Sequence, residues 1–156
     1  MAEPKTIKWE KDGYLGILSI DNPPENYFIN PEFVSIPQLK EWLSDDIKAM
    51  IITGTGRHFS AGADMKALIN QSVDLSVLKQ NMIKGNQLLD FIAGLEIPVL
   101  ASISGVCFGG GLEVALACDI RICTSRSMFA FPEINHDLIP GLGGVKRLQE
   151  ICGHKT

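Results

Sequence analysis

PVLASISGVCFGGGLEVALACDIRIC, residues 98–123, is the stretch that decides the fold. Pro98 to Ser104 is an aliphatic run too short for a helix and closed by Gly105, which predicts a buried strand. Gly109 to Cys118 opens as a glycine turn and continues as an apolar helix, and Asp119 to Cys123 returns to a short β-rich run. Strand, turn, helix and strand in that order predict parallel pairing with a helical crossover.

Working outward, the same alternation recurs. Tyr14 to Ile20 (YLGILSI) is a strand candidate ended by Asp21-Asn22-Pro23-Pro24. Pro31 to Ser44 reads as a short helix with a break near Pro37. Ile47 to Thr53 (IKAMIIT) is a compact apolar run ended by Gly54-Thr55-Gly56, as expected of a strand buried on both faces. A helix is expected to start over Asp64 to Asn70, a longer one runs from Leu75 to Leu95, Met128 to Phe131 is a short strand, and Gly144 to Ile151 is a last helix. The class is α/β, residues 1–156 forming one domain; short strands and uneven connections argue against a barrel.

Of 156 residues, 46% are apolar and 21% charged, enough for one domain with a core. A net charge of −4 leaves no basic face and makes nucleic acid an unexpected partner. No apolar run approaches the roughly 20 residues of a membrane span, and the N-terminus lacks an apolar signal core, so a cytoplasmic chain is expected. Cys107, Cys118, Cys123 and Cys152 make no CxxC pair and read as buried free thiols, with no metal site.

Two glycine-containing turns feed helices: HFSAGADMK (58–66) and GVCFGGGLE (105–113). Each offers backbone N–H groups that its helix leaves unpaired, and two such turns facing each other make an oxyanion hole. Close packing alone is a rival explanation. A phosphate cradle is another, but the second turn lacks the Lys-Ser/Thr ending of a P-loop, and glycines at 105, 109, 110 and 111 do not spell GxGxxG. Two acids stand in apolar surroundings. Glu113 lies in the first turn of its helix, where an acid ordinarily serves the helix dipole. Glu133 follows FAFP, where a solvated loop residue is the ordinary reading. Burial of both readies them for proton transfer, because it raises a carboxyl pKa.

FSAGADMKAL, IPVLASISGVCFGGGLEVALACDIRI, FAFPEI and IPGLGGVKRL, in this order and spacing, resemble the crotonase (enoyl-CoA hydratase/isomerase) superfamily from about Tyr14 onward. The resemblance implies a spiral of ββα units with a main sheet and a smaller one. It places the Ala63 and Gly110 amides at the oxyanion hole of an acyl-coenzyme A thioester, and Glu113 and Glu133 where hydratases keep two catalytic glutamates. It further implies that the Gly141 amide helps hold the catalytic water, that Lys66 approaches the coenzyme A phosphates, and that Ala61, Asp64 and Met65 line the adenine and pantetheine path. No cofactor is implied beyond the coenzyme A carried by the substrate. Water would then add across a 2-enoyl-CoA double bond; double-bond isomerisation, dehydration and an inactive acyl-CoA-binding module are the alternatives. An NAD-binding protein lacks its glycine spacing and ribose-binding acid here.

Three departures accompany the resemblance. The 22–46 segment is short, so the first helix looks trimmed. Asp137 stands where a small residue, often Gly, is usual, and His136 beside it reads as an exposed or structural histidine. The chain ends at Thr156 where family members usually continue through helices that close the acyl pocket and build a trimer or hexamer. The C-terminal helical trimerisation region is therefore expected to be missing, and apolar surface left bare should drive association.

Overall fold

In the computed structural model, residues 6–44, 46–64 and 75–153 are described. The alternation Ile7-Lys8-Trp9-Glu10 makes a strand, β1 (Ile7–Asp12), that hairpins antiparallel onto β2 (Leu15–Ile20). Sequence reading missed β1 because four of its six residues, Lys8, Glu10, Lys11 and Asp12, are charged and leave only Ile7 and Trp9 as an apolar face. Then follow α1 (Ile36–Trp42), β3 (Ala49–Gly54), α2 (Leu75–Ala93), β4 (Val99–Ile103), β5 (Val106–Phe108), α3 (Gly110–Ala117), β6 (Ile120–Cys123), β7 (Met128–Ala130), a 3-10 turn (Pro132–His136) and α4 (Gly144–Cys152). The helix expected to start over Asp64 to Asn70 falls mostly outside the described residues.

A five-stranded sheet runs β1-β2-β3-β4-β6, parallel from β2 onward, and a two-stranded parallel sheet pairs β5 with β7. Read along the chain, β1-β2-α1, β4-β5-α3 and β6-β7-α4 are successive ββα units. Between the first two, β3 is followed by isolated bridges at Ser60 (to Cys107) and Ala63 (to Phe28). This is the expected α/β architecture of ββα units.

One face of the main sheet makes the core. Leu18, Ile20, Met50, Ile52, Val99 and Ala101 are fully buried against Leu88, Leu89 and Ile92 of α2 and Val114 and Ala115 of α3. Each of the Leu, Ile, Val and Met side chains contributes about 1.5–3 kcal/mol by leaving water. The buried positions of α2 (Gly85, Leu88, Leu89, Ile92) have the spacing of one helical stripe. The strand expected to be buried on both faces is not: alternate residues of β3 are only half-buried. On β6, Ile120 and Ile122 are about half exposed (49% and 57%).

Two further expectations are corrected. Pro37 does not break α1; it occupies the first turn, where its missing N–H has no helical acceptor to lose, and the Ser35 hydroxyl accepts from the Gln38 amide as N-cap. Cys107 and Cys118 are buried, but Cys123, on the exposed strand β6, and Cys152, at the end of α4, are not. The short α1 is pinned to β1 by stacking of Trp42 on Trp9, with centroids 5.5 Å apart. Among the described residues no helix is long and apolar enough to cross a membrane.

Candidate active site

Glycine at 62 (φ 90°) lets the first turn pass close to the second: a Cβ there would lie 2.9 Å from the Phe108 carbonyl oxygen and 3.1 Å from the Gly110 nitrogen. Phe28 ties down the other side, donating its N–H to the Gly62 carbonyl (2.8 Å) and accepting from Asp64 N–H (3.3 Å). The N–H groups of Ala63 and Gly110, at these turns, find no acceptor among the described residues. Both residues line one cavity.

Buried polar residues hold the first turn, and sequence reading did not single them out. Asn26, fully buried and at φ 55°, donates through Nδ2 to the carbonyls of Thr55 (2.8 Å) and His58 (2.7 Å). The buried Ser60 hydroxyl donates to the Asn26 carbonyl and accepts from Gly62 N–H. His58 Nδ1 accepts from Val106 N–H and so stitches this turn to β5. An Asn tolerant of left-handed backbone just after Pro-Pro was the one signal available.

Glu113 is 2% exposed. Its Oε1 accepts from the backbone N–H of Leu142 (2.7 Å) and Gly144 (2.9 Å), so this carboxylate serves the start of α4. Burial pushes its pKa up; the Gly144 and Leu142 hydrogen bonds pull against that, nearby Glu133 adds to it, and Arg147 opposes it.

Glu133 sits in the 3-10 turn rather than at the end of a strand. Its Oε2 is buried and without a hydrogen-bond partner among the described residues. Gly109 (φ 50°) makes room for it, since a Cβ at 109 would stand 2.9 Å from Glu133 Oε1. A buried carboxylate oxygen left unpaired costs about 1–3 kcal/mol or more, and such sites concentrate where a ligand completes them.

Glu113, Glu133, Ala63, Gly110 and Ala61 all line the same cavity of about 320 Å³, with Phe28, Ile29, Met82, Leu138 and Leu142 as apolar wall. His136, an exposed residue, is at its edge. Asp137 caps the 3-10 turn in the left-handed region (φ 55°), which accounts for a small residue suiting that place. Gly141 is exposed and does not line the cavity; its carbonyl accepts from Asn86 Nδ2 (2.9 Å). Asp64 is half-buried, and Met65 and Lys66 lie outside the described residues. A larger open groove of about 900 Å³ between β1 and α1 shares Ile29 with the cavity and neither acid. No three His, Cys, Asp or Glu among the described residues are grouped to hold a metal ion.

Two acids, two amides without an acceptor among the described residues and an apolar wall around one cavity suit an acyl-transfer or enolate chemistry. Residues 15–156 match the family described as enoyl-CoA hydratase/isomerase, and the chain belongs to it. A probable enoyl-CoA hydratase of Bacillus subtilis (strain 168) is 36% identical over 146 residues, 91% of this chain and 55% of that protein. The short-chain-enoyl-CoA hydratase of Clostridium acetobutylicum is 32% identical over 97% of this chain and 59% of its own length. The crystal structure of an enoyl-CoA hydratase from Polaromonas sp. JS666 superposes with a TM-score of 0.85 at 29% identity, covering 92% of this chain and 58% of that one. The chain thus spans little more than half the length of these relatives.

Proposed function

We propose that this chain carries the catalytic centre of an enoyl-CoA hydratase, adding water reversibly across the double bond of a 2-enoyl-CoA thioester. The supporting observation is the single cavity that holds Glu113, Glu133 and the unpaired amides of Ala63 and Gly110 together. The thioester oxygen lies against the two amides. Glu113 takes a proton from water as its oxygen bonds to the β-carbon. The displaced electron pair moves onto the thioester as an enolate, and each amide stabilises that charge by about 3–4 kcal/mol. Glu133 delivers a proton to the α-carbon, and reversal of these steps is dehydration.

The water is held by Glu113; the Gly141 amide, expected to help, lies on an exposed residue outside the cavity. Coenzyme A runs past Ala61 and Asp64, and no other cofactor takes part. The protein acts in the cytoplasm as a homo-oligomer, the exposed Ile120, Ile122, Met128 and Phe129 being suited to contact with another copy.

A second reading is a double-bond isomerase that works chiefly through Glu133. What favours it is that Glu113 already spends one oxygen on two amides, while Glu133 Oε2 has no partner. The test is loss of the conjugated-thioester absorbance of crotonyl-CoA on adding the purified chain. Steady absorbance alongside measurable coenzyme A binding would point instead to a binding module without activity.

A further inference from the structure

The 141–144 turn is held by its carbonyls from one side and grips Glu113 by its amides on the other. Arg147, on α4 with a side chain only 13% exposed, donates through Nη1 to the Leu142 carbonyl (2.5 Å) and through Nη2 to Asp90 Oδ1 of α2 (2.5 Å). Asn86, one turn earlier on α2, donates to the Gly141 carbonyl (2.9 Å) while also bonding the Met82 carbonyl (3.0 Å). Leu142 N–H and Gly144 N–H point the other way, to Glu113 Oε1. The peptide unit is planar, so Asn86, by holding the Gly141 carbonyl, sets the direction of Leu142 N–H. The Arg147 side chain holds the 142–143 peptide between the two amides, and its backbone N–H holds the Gly143 carbonyl (3.0 Å), which shares a unit with Gly144 N–H.

We infer that Arg147, with Asn86, is a positioning residue for Glu113: the two side chains lock the 141–144 turn to α2 so that its amides stay aimed at the carboxylate. Arg147 makes no contact with the reacting atoms, and its action runs through the turn. The role rests on the hydratase reading only for its kinetic consequence; the geometry stands without it. The charged groups around Glu113 are Glu133 of the 3-10 turn and Arg147 of α4, with Asp90 of α2 behind the arginine and His136 at the cavity edge.

The test uses R147Q, R147K and N86A, with K146Q as a control on the exposed face of the same helix. Amide exchange and the pH titration of the Leu142 and Gly144 amide resonances are read first, without substrate. In R147Q both amides should exchange about tenfold faster or more, and their titration midpoint should rise; R147K, unable to reach two acceptors with a planar fork, should fall in between. With crotonyl-CoA, kcat should drop about ten- to a hundredfold with little change in KM, and the acid limb of its pH profile should move up, while K146Q behaves as wild type.

Unchanged protection and an unchanged midpoint at Leu142 and Gly144 in R147Q would overturn the inference. If R147Q does not fold, N86A decides by the same two readouts, with a smaller shift in the same direction expected and none overturning it. An inactive wild type would defeat the hydratase reading and leave the amide measurements to decide this one.

Discussion

Glu113 and Glu133 face one cavity in opposite states of satisfaction: Oε1 of the first accepts two backbone N–H groups, and Oε2 of the second accepts none. The bonded acid is held in one orientation, as a base aimed at a water should be. The unbonded one keeps its Oε2 available for a ligand. This inequality separates the two catalytic readings by mutation. E113Q and E133Q should each lower crotonyl-CoA hydration by at least about a hundredfold. Conversion of a 3-enoyl-CoA to its 2-enoyl isomer should collapse in E133Q and survive better in E113Q if isomerisation is the true activity.

The environment of Glu113 also predicts a pH dependence of stability. Burial raises its pKa above the ordinary 4.5, so the folded protein binds this proton more tightly than the unfolded chain. That contribution is fully present at low pH and is lost as pH rises from 4.5 through the folded value. Asp46, held down to about 2 by Lys11 and Ser44, has the opposite sign: its contribution is present above 3.8 and lost on acidification. Comparing E113Q with wild type isolates the first effect. Denaturant melts across the weakly acidic range should show wild type losing stability relative to E113Q, with a slope no steeper than about 1.4 kcal/mol per pH unit. A flat difference would mean that the carboxylate is not desolvated.

Gly109 tests the packing beneath Glu133. An alanine there must hold φ near 50° and place its Cβ 2.9 Å from Glu133 Oε1. G109A should cost about 1–3 kcal/mol in thermal or denaturant unfolding and should displace the acid, so that hydration falls along with stability. Activity retained at the wild-type level would show that Glu133 need not sit where it does.

The thiols offer a check on burial that involves no substrate. Burial pushes Cys107 and Cys118 up to about 12, whereas Cys123 and Cys152 are exposed. An aromatic disulfide reagent should therefore label two thiols quickly in the native protein and all four in denaturant. Rapid labelling of all four without denaturant would contradict the packing of α3 against β5.

Association is expected from β6 and β7, whose Ile120, Ile122, Met128 and Phe129 side chains are about half exposed. Sedimentation of the wild type should show concentration-dependent self-association that I122K weakens. A monomer at every concentration would remove the proposed contact between copies.

Local sequence carried much of this protein. Apolar runs between glycine and proline stops marked β2, β3, β4 and α2 to within a few residues, because burial and chain direction are written in consecutive side chains. The family motifs named Glu113 and Glu133 before any geometry was known. Strand β1 and the pairing of β5 with β7 were not legible, since the first mixes charge into its alternation and the second joins three-residue strands that only a partner defines. The half-open outer face of the sheet was also invisible, because an aliphatic run reads alike whether one face is covered or two.

What the order of residues determined by itself was therefore the α/β alternation, the two glycine turns and the identity of the acids. Only tertiary structure decided that Glu113 serves the amides of a helix thirty residues away, that Asn26 and Ser60 hold the first turn, and that Arg147 reaches both Leu142 and Asp90. Hydrogen-bond partners far apart in the chain leave no local pattern. Their choice follows from where packing brings the backbone.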